Sequence, residues 1–202
     1  MKITTIIFDL GGVLIDWNPS YVFDAMFDSE EEKKHFFENI CTPDWNEMQD
    51  AGRPLQEATD LLVHEHPGWE KYIRAYYGRW EEMLGGPLQE TVEIFRSLKE
   101  KNQFRFYALT NWSAELFPIA LERYDFLSWF DGRLVSGEEK MRKPSPEFYN
   151  LLLERFNIKA EEAVFIDDNA RNIYAAQAVG LKSIKFEDAT QLKEELVAIG
   201  VG

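Results

Sequence analysis

The stretch IIFDLGGVLIDW, residues 6–17, runs apolar into a single carboxylate, passes two glycines and turns apolar again. Residues 3–8, dominated by isoleucine, threonine and phenylalanine, read as a buried β-strand that stops at Asp9. A carboxylate at the end of such a strand costs several kcal/mol unless some partner uses it. Asp9 is therefore either a strand-end turn residue or a group held there for chemistry.

Four more short runs have the character of the first: Phe104–Leu109, Gly132–Val135, Ala163–Ile166 and Lys182–Phe186. Helical stretches alternate with them, at Ser113–Arg123, Pro146–Phe156 and Ala170–Val179. Ser145 before Pro146 reads as an N-cap with proline in the first turn, and Gly180 reads as a helix C-terminal glycine. The alternation predicts an α/β fold with a doubly wound parallel sheet, whose ligands sit outside the carboxyl ends of the strands.

Residues 17–84 break the rhythm. The segments EEEKKHFFENI, PLQEATDLLVHEH and GWEKYIRAYYGRWEEML are helical in pattern and too long for a simple crossover. They predict a helical cap inserted after the first strand, with residues 1–16 and 85–202 forming the core domain. The chain re-enters the core through PLQETVEIFRSLKEKN, a helix that turns Val92, Phe95 and Leu98 inward.

The chain has 202 residues, 45% of them hydrophobic, which is enough for a full core. Its 36 acidic and 22 basic residues give a formal charge of −14, with no basic footprint for nucleic acid. That charge repels anions at long range, so any phosphate site needs local positive charge. Cys41 is the only cysteine, which excludes an intrachain disulfide and suits a reducing compartment. No apolar run approaches the ~18 residues of a membrane span, and the start has no signal-peptide pattern. A cytoplasmic protein is expected.

Polar residues gather where the hydrophobic runs stop. The first strand delivers Asp9, FRFYALTN delivers Thr110 and Asn111, and AVFIDDN delivers Asp167 and Asp168. MRKPSP places Lys143 just before a helix start. In a parallel sheet these groups converge at one end. Taken singly, Thr110-Asn111 reads as a helix cap and Lys143 as a surface lysine. The adjacent pair Asp167-Asp168 is harder to dismiss, because two carboxylates after an apolar run repel unless a cation joins them.

The order DLGGV, LTN, RKP, IDDN resembles the haloacid dehalogenase-like (HAD) hydrolase superfamily along nearly the whole chain. The DLG start is similar to the branch of small phosphatases that includes alpha-D-glucose-1-phosphate phosphatase. The resemblance implies that Asp9 is a nucleophile forming an aspartyl-phosphate, with Lys143 supplying charge to the phosphate and to Asp9. It implies that Thr110 and Asn111 hold phosphate oxygens, helped by amides of the following helix. It implies Mg2+ bound by Asp9, Asp168 and the backbone carbonyl of Gly11, with Asp167 paired to Lys143 or to a metal-bound water. Gly11 and Gly12 would let the backbone pass close to the phosphate. The expected substrate is a small phosphorylated metabolite, a sugar phosphate being one candidate.

One departure bears on mechanism. Many family phosphatases carry aspartate at the position of Gly11, as general acid to the leaving oxygen, and here that acid is missing. Sugar 1-phosphates suit the gap, since an anomeric oxygen leaves more easily than an ordinary alkoxide, and Asp16 is the first alternative donor. Two other readings stand beside the phosphatase: a 2-haloacid dehalogenase, which displaces halide without metal, and a non-catalytic phosphometabolite-binding module. Asp168 argues against the dehalogenase. His64-Glu65-His66 mimics a metal pattern, but residues two apart on a helix do not share a face. The cap aromatics read as helix packing, with Trp45 and Trp80 as candidates for the substrate face.

Overall fold

The computed structural model describes residues 2–202. Five parallel strands form the central sheet in the order β5-β4-β1-β6-β7: β1 (Thr5–Phe8), β4 (Arg105–Thr110), β5 (Gly132–Val135), β6 (Ala163–Asp167) and β7 (Lys182–Lys185). β1 lies in the middle with every residue buried, as expected of a parallel strand covered on both faces. The chain first adds β4 and β5 on one side of β1 and then β6 and β7 on the other. The order therefore reverses at β1, and the crevice there opens at Asp9.

Helices α6 (Gln89–Glu100), α7 (Phe117–Arg123), α8 (Ser136–Glu139), α9 (Pro146–Arg155), α10 (Ala170–Ala178) and α11 (Ala189–Ala198) connect and flank these strands. α6 buries Val92, Phe95 and Leu98 together with Thr91, the face its period assigns. Phe95 packs against Phe8, Phe106 and Phe130, and so ties this helix to β1 and β4. On the opposite face Tyr149, Phe148 and Leu152 of α9 pack with Ile7 and Phe165. Gly180 follows α10 at φ +90°, the left-handed turn that ends the helix.

α7 begins four residues later than the apolar pattern suggests. Pro118 sits in its first turn, the one place where a missing N–H costs nothing. The segment before it is instead held by Trp112, whose ring meets Trp80 and Phe117.

Between β1 and α6 come five helices, α1 (Ser20–Phe23), α2 (Glu30–Asn39), α3 (Pro43–Asp50), α4 (Leu55–Glu65) and α5 (Glu70–Gly78). Their mutual core is aromatic: Phe23, Phe27, Phe36, Trp69, Tyr72 and Tyr76 stack or pack at a tilt. We propose that this helical unit is the cap. Its two ends are joined by a short antiparallel ribbon of β2 (Ile15–Trp17) and β3 (Leu84–Pro87). The helical pattern did not show this ribbon. Strands of three and four residues, one of them LGGP, are too short for a period and are made by their pairing.

The cap lies down on the core through a few directional contacts. Glu47 of α3 pairs with Arg142 at 2.7 Å and with Arg171 at 2.5 Å. The Leu55 amide donates to the Glu115 carboxylate at 2.9 Å, and the Ser136 hydroxyl donates to the carbonyl of Asp50 at 2.5 Å.

Candidate active site

Asp9 ends β1, and its own amide still donates to the Ile166 carbonyl of β6 at 2.8 Å, so its position is set by the sheet. Asp167 and Asp168 end β6 beside it. Among the described residues, Asp9, Asp167 and Asp168 form one trio of acids whose carboxylate oxygens lie within 4.8 Å of one another. Lys143 reaches in from the segment before α9. Its ammonium stands 2.7 Å from Asp167 and 2.9 Å from Asp9. It is no surface lysine: it is 1% exposed, and Asp167 is 0% exposed.

The charges explain one another. Burial alone would push the proton off Lys143, but Asp167 and Asp9 outweigh it and hold the ammonium's pKa above its ordinary value. Burial raises the Asp9 carboxyl, Lys143 pulls it back, and the neighbouring Asp167 and Asp168 push it up again. Asp168 is raised by burial and by Asp167. One ammonium thus serves three acids. A divalent cation fits this trio because hard carboxylate oxygens suit magnesium and its charge would return Asp9 to the ionised form.

Asp167 has little left to offer a ligand. Besides Lys143 it accepts from the Asn169 amide at 2.8 Å and from the Asn172 side chain at 3.0 Å on both oxygens. Among the described residues Asp168 makes no ion pair, and it lies exposed at the cleft.

The two glycines differ. Gly12 has φ +75°, and a Cβ there would sit 2.5 Å from an Asp168 carboxylate oxygen. Any side chain at position 12 must displace that acid. At Gly11 a Cβ would meet nothing within 4 Å, so this structure leaves room for a side chain there.

Thr110, at the end of β4, is 1% exposed, and its hydroxyl has no hydrogen-bond partner. A buried orphan of this kind costs about 1–3 kcal/mol unless a ligand or solvent atom pairs with it. Asn111 is placed otherwise than the motif suggests. Its side-chain amide donates to the Lys143 carbonyl at 3.0 Å and accepts from the Lys143 amide at 2.9 Å. It therefore fastens the lysine segment to β4. The helix that follows, α7, starts only at Phe117, whose amide donates to the Ser113 carbonyl at 3.0 Å.

Above the carboxylates lies a cavity of about 220 Å³. Asp9, Gly11, Gly12, Asn111 and Asp168 form its floor, and Trp17, Tyr77, Trp80, Trp112 and Leu116 its apolar wall. Asn46 and Asp50 of the cap also face it. Trp80 is thus a wall residue, whereas Trp45 packs against Tyr76 and Tyr77. Asp16 is not part of the cavity; its carboxylate accepts from the Tyr21 hydroxyl at 2.5 Å. His64 and His66 lie at the end of α4, remote in sequence from this floor.

Residues 3–180 match the sequence profile of the haloacid dehalogenase-like hydrolases. The chain belongs to that family. A HAD-family enzyme from Bacteroides thetaiotaomicron, solved in complex with magnesium and inorganic phosphate, shares 25% identity and superimposes with a TM-score of 0.69. The match covers 92% of this chain and 95% of that one. Sesquiterpene phosphatase astK of Aspergillus oryzae is 31% identical over 94% of this chain and 93% of its own. A phosphorylated carbohydrates phosphatase from Thermotoga maritima is 25% identical, over 89% of this chain and 82% of its own. The protein is a HAD-like hydrolase of the phosphatase type, and its parallel sheet is the fold that the motif order implied. No helix of the described residues is long and apolar enough to cross a membrane.

Cap residues Asn46, Asp50 and Tyr77, and the core residues Trp17 and Trp112, were not singled out from the sequence. One signal existed for Asp50. It is the last residue of α3, where the helix dipole disfavours a carboxylate, so its presence there is locally unfavourable.

Proposed function

We propose that this HAD-like hydrolase is a magnesium-dependent phosphatase of small phosphate monoesters, working through an aspartyl-phosphate on Asp9. The observation that carries the reading is the Lys143 ammonium held between Asp9 and Asp167, with Asp168 alongside and the Thr110 hydroxyl unpartnered. Asp9 attacks phosphorus in line, the bond to the leaving oxygen breaks, and water later attacks the aspartyl-phosphate to return Asp9 and release phosphate. Lys143 neutralises the phosphoryl oxygens and stays charged throughout. Thr110 donates its free hydroxyl to one of those oxygens. Asn111 contributes by holding Lys143 in place. Asp9, Asp168 and the Gly11 carbonyl would hold Mg2+, which when bound offsets the negative charge of phosphate and carboxylates together.

The cavity wall bears on the substrate. Four aromatic rings and Leu116 line it. Such a wall suits an organic group with an apolar face. Both the isoprenoid substrate named for the Aspergillus relative and the face of a sugar meet that description. A panel of aryl, isoprenoid and sugar phosphates, assayed with magnesium and with EDTA, tests the reading. Phosphate release that EDTA abolishes is expected. Chloride release from a 2-haloacid without metal would point to the dehalogenase instead.

The two acids of IDDN separate in a further experiment. Asp168→Ala should raise the magnesium concentration needed for half-maximal activity by about 10- to 100-fold, with little effect on melting temperature. Asp167→Ala removes the partner of a buried lysine and of Asn172, so its larger effect should be on stability. Equal magnesium requirements in both variants and wild type would contradict the ligand assignment.

A further inference from the structure

Position 11 has no side chain to protonate the leaving oxygen, and the Asp16 carboxylate is engaged by Tyr21 outside the cavity. A phosphatase of ordinary alkyl esters needs such a proton, since an alkoxide is a poor leaving group. Among the residues lining the cavity, apart from Asp9 and Asp168 on its floor, the one remaining carboxyl is that of Asp50.

Asp50 sits on the cap side, facing the nucleophile's cavity from above. Its backbone is pinned to the core through Ser136. The Ser136 hydroxyl donates to its carbonyl at 2.5 Å and accepts from the Trp112 amide at 2.8 Å, which ties Asp50 to the ends of β4 and β5. Its carboxylate accepts from the Asn46 side chain at 3.3 Å and is approached by the Ser113 amide. Among the described residues no cation forms an ion pair with it, and Arg142 is taken by Glu47.

We propose that Asp50 is the general acid of this enzyme, donating its carboxyl proton to the leaving oxygen in place of the acid missing at position 11. The proposal rests on the phosphatase reading above. In the first step the bond from the Asp9 carboxylate to phosphorus forms and the bond from phosphorus to the leaving oxygen breaks. The electron pair stays on that oxygen, which takes the Asp50 proton and departs as the alcohol. In the second step water attacks phosphorus, its proton goes to the Asp50 carboxylate, and the Asp9–phosphorus bond breaks. Both acids end as they began, and the net reaction consumes one water.

The surroundings of Asp50 keep a proton on it. Burial pushes its carboxyl up to about 7, the neighbouring Glu47 adds to the rise, and Arg142, the Ser113 amide and Lys143 only partly oppose it. The phenols of Tyr76 and Tyr77 on α5 are the other titratable groups nearby, and burial holds both neutral. The C-terminal position on α3 works in the same direction.

The test compares Asp50→Asn with wild type over phosphate monoesters ranging from p-nitrophenyl to simple alkyl esters, in saturating magnesium. The amide is nearly isosteric and cannot donate a carboxyl proton. The expected result is that kcat for alkyl esters falls about 100-fold or more relative to kcat for p-nitrophenyl phosphate. In wild type, alkyl ester turnover should decline as pH rises through about 7, as Asp50 loses its proton, and the variant should lack that limb. Equal losses for aryl and alkyl esters would reduce Asp50 to a positioning residue and overturn the proposal. An unaltered alkyl-to-aryl ratio would do the same. A wild-type protein that fails to hydrolyse even p-nitrophenyl phosphate with magnesium would bring down the phosphatase reading itself, a different outcome from either.

Discussion

Asp9→Asn is expected to lower phosphatase turnover by more than about 1000-fold while the protein still folds. The amide has almost the size of the carboxylate. The strand hydrogen bond from the backbone of residue 9 to Ile166 is untouched, and the side-chain oxygen can still accept from Lys143 at the 2.9 Å that Asp9 now shows. What the variant loses is the anionic oxygen that attacks phosphorus. A circular dichroism spectrum and melting temperature close to wild type, together with the loss of p-nitrophenyl phosphate hydrolysis, would separate chemistry from folding. Retention of most of the activity would remove Asp9 from the mechanism.

Lys143→Met should have the largest effect on stability, about 3–5 kcal/mol, and should abolish activity as well. The side chain fits the volume, but it leaves Asp9 and Asp167 facing each other in a buried site with no cation between them. The pH dependence follows from the sign of the shift. The Asp9 carboxyl is already raised by burial, and Lys143 is the main influence lowering it, so the variant raises it further. A folded-state pKa above the unfolded value means that the folded protein binds the proton more tightly, so stability is lost as pH rises through the folded value. Urea denaturation in EDTA should therefore show the variant far less stable than wild type at pH 7 and closer to it near pH 5. A uniform loss at both would show that packing, not charge, is what Lys143 supplies.

Much of this site was legible in the chain. Asp9, Thr110, Asp167 and Asp168 each follow an apolar run, and a parallel sheet brings the ends of such runs together whatever the rest of the molecule does. Lys143 could be placed near them from the segment RKP, but its burial could not, because that depends on Asn111 at the end of β4 and the Phe165 ring of β6 packing against it. Asn111 shows the limit of reading residue type alone. An amide after a strand can face a ligand or the backbone, and here Lys143 takes both of its hydrogen-bonding ends.

The cavity wall was the least legible part. Trp17 belongs to a strand created by pairing with β3, and Tyr77 and Asp50 reach the cavity only because Glu47, Leu55 and Asp50 dock the cap on the core. None of those contacts has a local period. Gly11 and Gly12 looked equivalent in sequence and are not: Asp168 crowds one, while the other opens on free space.

The central claim is that phosphate passes through a covalent bond to Asp9. The most direct measurement is rapid acid quenching during turnover of a fast substrate in magnesium, followed by proteolysis and mass spectrometry. The account predicts a phosphoryl mass increment on the peptide containing Asp9, present with substrate and absent from Asp9→Asn. Turnover without any such increment, or an increment confined to another residue, would contradict it.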